Sequence, residues 1–330
     1  MNPQRILDLA NAFWGSAALL AANECGLFAV LANDPLTLDA ICTATGLPAR
    51  PTQMLLDALV ALGLMRKDGE RYGNAADAQA FLVPGKPGSL AGSLRYNAAM
   101  FPAWARLAES VRGDHPVVES PSYLGVDAPR TRGFVMQMHA RALALGPAIT
   151  AAIDLSGCAR LLDVGGGPGT LSVLLCQRTA GLAATVLEVP AVAAVGKELV
   201  AAAGLADRVT FTPGDAFAGP LGAGYDAALV SGLLHREPAE VCAALCRRLR
   251  AALQPGAKVY LVDVMRDESR VGPAFAALFG LNMLLTSERG GCHATVDHAA
   301  WLRDAGFVDI TTTALPPPMM HSIVSARAPI

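Results

Sequence analysis

From residue 160 onward, short apolar runs alternate with amphipathic stretches. "ARLLDVG", "AATVLEVP", "DRVTFTPGD", "YDAALVSGLL" and "AKVYLVDVM" have the length and bounding residues of buried strands. Between them, "TLSVLLCQR", "AVAAVGKELVAAAG" and "PAEVCAALCRRLRAAL" repeat apolar residues at helical spacing. "GFVDITTTAL" and "MMHSIVSARAP" close the chain as a pair of strands. Strands alternating with helices predict an α/β, doubly wound (Rossmann-like) sheet. Its ligand belongs at the carboxyl ends of the central strands, where the strand order reverses.

The first 100 or so residues follow another pattern. Residues 4 to 31 read as two helical stretches broken near Glu24-Cys25-Gly26. In "LTLDAICTATG", Thr37 is a helix N-cap and Gly46 a stop. "PARPTQMLLDALVALGLM" puts Pro51 at a helix start and gives that helix an apolar face, and Asp68-Gly69 marks a tight hairpin turn. Helix, turn, helix and hairpin make a winged-helix-like order. A DNA-reading helix needs an exposed polar face, and after Arg50, Thr52 and Gln53 this one is almost wholly apolar. Burial against a partner subunit fits better, so a homodimer is expected and nucleic acid is not.

Three divisions follow: residues 1–100 as a helical dimerisation domain, 101–155 as a helical linker and substrate-pocket segment, and 156–330 as the sheet domain. At 330 residues, more than one core is expected. A composition 53% hydrophobic and 16% charged is that of a globular chain, and a net charge of −2 gives no basic excess for nucleic acid. "FWGSAALLAA" is too short for a membrane span and reads as a core helix. Seven dispersed cysteines without a CxxC pair read as reduced thiols, which places the chain in the cytoplasm.

"LLDVGGGPGTLSVL", residues 161–174, turns a strand sharply into a helix. No Lys follows the glycines, so this is not a phosphate-binding P-loop. Gly165 and Gly167 fit a dinucleotide fingerprint, but Thr170 takes the third glycine's place. What remains is Asp163 feeding Gly165, Gly167 and Gly169. Glu188 ends the second strand, where a carboxylate accepts hydrogen bonds from ribose hydroxyls. Asp215, Ala216 and Phe217 follow the third strand, placed for an adenine amino group and ring, and Ser231 lies in the fourth. Together they describe a nucleoside carrying a cationic amino-acid tail instead of phosphates, which is S-adenosylmethionine.

On these motifs the chain resembles the S-adenosylmethionine-dependent O-methyltransferases of the plant caffeate type and their bacterial secondary-metabolite relatives, over nearly its whole length. The resemblance implies a class I methyltransferase sheet behind a dimerisation domain. "SGLLHREPAE" stands where that family has its catalytic His, making His235 the expected general base. "VYLVDVM" supplies Asp263 where the family has an acidic residue, and "ERGGCHATVDHAAWLRDAGF" puts His293 where the family has Glu. Independently, a hydroxyl acceptor needs a base near neutral pH, which suits His235, with Asp263 fixing its tautomer. His293 is open to three roles: a second orienting group, a substrate contact or a metal ligand. With His235 and Asp263 it makes a nominal two-His-one-carboxylate set; no metal is expected. Cys242 and Cys246 share one helix face and read as core, and His298 reads as a surface residue.

The small-molecule acceptor is expected to meet Tyr96, Met136, Met138, His139, Asn282, Met283 and Met320, an apolar set, with Arg141 and Asn282 to anchor a polar group. Transfer to nitrogen, sulfur or carbon, or a relative that holds the cofactor without methylating, would carry the same cofactor motifs.

Overall fold

The computed structural model describes residues 2–86, 88–118 and 124–330 and divides into two compact units, residues 1–102 and 103–330. Within the 101–155 segment, the stretch "DHPVVESPSYLG", residues 114–125, lies partly outside the described residues.

The first unit runs α1 (Gln4–Glu24), α2 (Leu27–Val30), β1 (Leu36–Thr37), α3 (Leu38–Thr45), α4 (Ala49–Ala61), β2 (Met65–Asp68), β3 (Arg71–Asn74), α5 (Ala76–Phe81) and α6 (Ala91–Ala105), the last crossing into the second unit. Thr37 caps α3 by accepting the Ala40 amide, and Gly46 ends it with φ of 72°. Helix α4 starts two residues before Pro51, directly after Pro48. The three strands pair antiparallel in the order β1-β3-β2. The core is built on Ala22, Leu27, Phe28, Ile41, Leu56, Leu59 and Tyr72. Along α1, Ile6, Leu7, Leu9, Phe13 and Trp14 stay exposed. An apolar face of this extent on one helix is a surface made for contact.

The second unit continues with α7 (Leu107–Gly113), α8 (Ala128–Ala151), β4 (Arg160–Val164), α9 (Thr170–Arg178), β5 (Ala183–Glu188), α10 (Pro190–Ala202), β6 (Val209–Pro213), β7 (Tyr225–Ser231), α11 (Ala239–Ala252), β8 (Leu253–Asp263), α12 (Ala274–Thr286), α13 (Thr295–Asp304), β9 (Val308–Ala314) and β10 (Ser322–Arg327). The sheet order is β6-β5-β4-β7-β8-β10-β9. The first five are parallel, while β10 lies antiparallel to both β8 and β9. One apolar layer on each face makes a core on both sides of the sheet. The chain moves outward through β5 and β6, then returns to place β7 on the other side of β4. That reversal opens a crevice above β4 and β7. Register aligns Val164 with Leu187 and Val230, and Ser231 with Val262. The residues after these positions therefore share one rim.

Candidate active site

The glycine loop follows from β4. Gly165 turns the chain with φ of +66°, and a Cβ there would lie 2.7 Å from Leu233. Only glycine meets both demands. Its amide donates to the Leu187 carbonyl at 2.9 Å, which ties the loop to β5. Asp163 stands behind this loop, sealed from solvent. Ser172 on α9 donates its hydroxyl to Asp163 Oδ2 at 2.6 Å, and Asp163 Oδ1 has no partner. Burial drives this carboxyl up to about 6, against the pull of Ser172 and with a further push from Glu188.

Glu188 holds the loop from the neighbouring strand. Its Oε2 accepts the Gly167 amide and its Oε1 the Val189 amide, each at 2.8 Å. Burial raises its pKa, and the two amides work against that rise. Each carboxylate oxygen keeps a lone pair free for a hydroxyl. Asp215 is exposed and accepts the Phe217 amide at 2.7 Å, fixing the turn after β6. Ala216 is buried, Phe217 packs against the main core, and Ser231 is half-buried at the end of β7. This rim fits S-adenosylmethionine: open space at Gly167, a carboxylate at Glu188, and no basic side chain in the loop to meet phosphates.

The chain leaves β7 through Gly232 into a short 3-10 turn, Leu234–Arg236, which carries His235. His235 Nδ1 lies 2.7 Å from Asp263 Oδ1, and the His235 backbone amide donates to Oδ2 at 3.3 Å. The Val264 amide also donates to Oδ1, at 2.8 Å. Burial would raise the Asp263 carboxyl. The charge and hydrogen bond of His235 outweigh it, aided by His298 and the Val264 amide, and hold it below the usual range. An ionised Asp263 fixes the proton on Nδ1, leaving the Nε2 lone pair free. Phe279 of α12 presents an edge contact to the ring, centroids 4.9 Å apart.

A second clamp on His235 has little sequence signature beyond the glycine pair itself. The Gly291 amide donates to the His235 carbonyl at 2.9 Å, and a Cβ on Gly290 would lie 2.6 Å from that same oxygen. The 290–291 glycines let one backbone approach another closely.

His293 does not orient His235. Its Nε2 lies 2.8 Å from the Glu237 carbonyl, so that nitrogen carries the proton, and its ring meets the edge of Trp301 at 5.0 Å between centroids. The nominal metal set therefore does not converge, and no group of three or more His, Cys, Asp or Glu side chains is placed to hold a metal among the described residues. The expectation of a surface His298 is also overturned. It is 1% exposed, its Nδ1 bound to the Ala294 carbonyl and its ring against Trp301. Cys242 and Cys246 are buried core residues, as read.

The acceptor candidates separate. Met136 faces solvent, while the neighbouring Val135 is the buried residue of that turn of α8. Met138 is half-buried. His139 points to the start of α9, its Nδ1 2.7 Å from Thr170 Oγ1, and burial lowers its pKa. On α12, Met283 is buried and Asn282 Oδ1 accepts the Trp104 indole N–H at 3.2 Å. Met320 is exposed near the end of the β9–β10 connection, and Tyr96 lies on α6 in the first unit.

A seven-stranded sheet of this order, with a glycine loop, a carboxylate after the second strand and a His-Asp pair on the far side of the switch point, defines a nucleoside-dependent group-transfer enzyme of the methyltransferase class. The comparisons with known proteins carry this to the family. The chain matches the O-methyltransferase domain over residues 114–308 and the O-methyltransferase dimerisation domain over residues 7–84, and it belongs to the S-adenosylmethionine-dependent O-methyltransferases. It is 37% identical to the tetracenomycin polyketide synthesis 8-O-methyl transferase of Streptomyces glaucescens, over 96% of this chain and 95% of that one. It is 33% identical to the 3-hydroxy-5-methyl-1-naphthoate 3-O-methyltransferase of Streptomyces sahachiroi, over 98% and 94%. The crystal structure of human N-acetylserotonin methyltransferase in complex with S-adenosylmethionine superposes with a TM-score of 0.89 at 26% identity, covering 100% of this chain and 99% of that one.

Proposed function

We propose that this enzyme methylates a hydroxyl on a small, largely apolar aromatic acceptor, with His235 as general base. The observation that carries the reading is the 2.7 Å contact of His235 Nδ1 with the buried Asp263 carboxylate. That contact orients the ring and leaves Nε2 unprotonated. The relatives named for 8-O-methylation in tetracenomycin polyketide synthesis and for 3-O-methylation of 3-hydroxy-5-methyl-1-naphthoate support an aromatic hydroxyl as the acceptor.

S-adenosylmethionine supplies an electrophilic methyl group on a sulfonium, an excellent leaving group. Glu188 would hold the ribose hydroxyls, Asp215 and Phe217 the adenine, and the 165–167 backbone the amino-acid tail, with Ala216 and Ser231 beside them. His235 Nε2 receives the acceptor's hydroxyl proton as the oxygen takes the methyl. Asp263 stabilises the imidazolium that forms and returns it to the same tautomer. His293 steadies the 235–238 turn through the Glu237 carbonyl.

The assembly proposed is a homodimer, because the exposed Leu7, Leu9, Phe13 and Trp14 of α1 lie within the matched dimerisation domain. No helix among the described residues is long and apolar enough to cross a membrane. All seven cysteines are free thiols, five of them buried, which supports a reducing compartment such as the cytoplasm.

Methyl-labelled S-adenosylmethionine with a panel of phenolic acceptors tests the chemistry. Label appearing as an aryl methyl ether, with turnover cut roughly 10²–10⁴-fold in His235→Ala at near-normal affinity for S-adenosylhomocysteine, is the expected result. Label on nitrogen, sulfur or carbon, or full turnover in that variant, overturns it.

A further inference from the structure

His321 is used by nothing described so far, yet it sits at the catalytic pair. It precedes Ser322, the first residue of β10, which pairs in register with Asp263. Its carbonyl is tied down by the Leu315 amide at 3.0 Å. Its Nδ1 is buried with no partner. A buried polar atom left unpaired costs stability, and such atoms are kept where something else completes them.

Arg141 faces the same place from α8. Two residues before it, on another side of the helix, His139 reaches Thr170 at the start of α9. One turn after it, Leu145 packs into the apolar layer that also takes Met319, two residues from His321. Arg141 is half-buried and makes no hydrogen bond or ion pair among the described residues. A guanidinium so placed and unpaired is a group awaiting an anion. Burial first, then the Arg141 charge, drives the His321 imidazole down to about 4, with Asp263 and His235 also acting on it. His321 is thus neutral in working conditions and offers a hydrogen bond without a competing charge. Asp263 does not fill the role of the anion, because its carboxylate is committed to His235 and the Val264 amide.

We propose that Arg141 and His321 form an anion subsite in the acceptor pocket, and that the acceptor carries a carboxylate in addition to the hydroxyl that is methylated. This rests on the O-methyltransferase reading and narrows its substrate class to hydroxyaryl carboxylates. Arg141 neutralises the carboxylate, His321 Nδ1 completes its hydrogen bonding, and the hydroxyl is thereby presented to His235.

Binding tests this apart from catalysis. The full chain, saturated with S-adenosylhomocysteine, is titrated calorimetrically with 1-hydroxy-, 3-hydroxy- and 6-hydroxy-2-naphthoate, and with their methyl esters. At least one acid is expected to bind roughly 10- to 100-fold more tightly than its ester, the range for a hydrogen bond to a charged group. That preference should collapse in Arg141→Gln and survive in Arg141→Lys. His321→Asn should reduce it several-fold, and circular dichroism of each variant confirms folding. Equal binding of acids and esters, no binding by any acid, or an unchanged preference in Arg141→Gln overturns the subsite. Failure of the transfer chemistry is separate: it is seen as label that never reaches an aryl oxygen, whichever acid binds.

Discussion

Two aspartates stand near the ends of two strands of one sheet, both sealed from solvent, and their pKa values shift in opposite directions. Asp163 on β4 receives only the Ser172 hydroxyl, leaves Oδ1 unpaired and has Glu188 nearby, so burial raises its pKa to about 6. Asp263 on β8 receives an imidazole N–H and two backbone amides, so the same burial is overruled and its pKa falls. Burial is common to both, and what differs is the partner. A buried carboxylate facing an imidazole and two amides is held ionised, and one facing only a hydroxyl is not.

The largest expected effect breaks the catalytic half of this contrast. Asp263→Asn keeps the shape but lets the His235 ring take the wrong tautomer, and turnover should fall about 10²–10⁴-fold. Because the Asp263 pKa is depressed in the folded state, its contribution to stability is present above the ordinary carboxylate pKa and is lost as pH falls through the depressed value. The stability gap between Asp263→Asn and wild type should therefore narrow on acidification, as urea melts between pH 8 and pH 3 would show. Undiminished turnover in this variant would make the two aspartates equivalent.

Next in size, Glu188→Ala removes the acceptor of the Gly167 amide and the expected ribose contacts. Calorimetry should show S-adenosylhomocysteine binding weakened by about 1–3 kcal/mol. Unchanged affinity would separate Glu188 from the cofactor.

The Asp163 side gives an effect of the opposite sign. A carboxyl raised to about 6 contributes stability below its ordinary pKa and loses it as pH rises through 6. At pH 8 the folded state holds a buried, under-paired anion. Asp163→Asn should therefore gain about 1–3 kcal/mol at pH 8, and the gain should shrink toward pH 4. A pH-independent difference would refute the assigned cause.

The smallest effect concerns His293. Losing its hydrogen bond to the Glu237 carbonyl in His293→Ala should cost about 0.5–1.5 kcal/mol of stability. His293→Gln, which retains a donor, should recover part of it. A drop in turnover as large as that of Asp263→Asn would return His293 to the proton path.

The central strands β4, β5, β7 and β8 were legible in the sequence because each carries a short apolar run buried on both faces of the sheet. The rim was legible for the same reason: Glu188, Ser231 and Asp263 each stand as a strand's last residue. His235 and Asp263 are 28 positions apart, yet each sits at the end of a readable strand, so their pairing was accessible. The histidines beyond the sheet were not. His293 and His298 are three-dimensional neighbours of Trp301, and which way each ring turns depends on the packing of α13, which no local spacing encodes. Nor did the pattern mark His321, whose placement depends on the antiparallel return of β10 beside β8.

The bridge between Arg266 and Ala294 closes a neck just beyond β8, with the Arg266 amide on the His293 carbonyl and the Thr295 amide on the Arg266 carbonyl. Everything from residue 267 to 293, including α12, is an excursion tied shut at its base. One end of the tie adjoins Asp263, and the glycines at the other hold the His235 carbonyl. The excursion is therefore a cassette on a fixed base: the sequence of α12 can change while the knot beneath it keeps the His235–Asp263 pair in register.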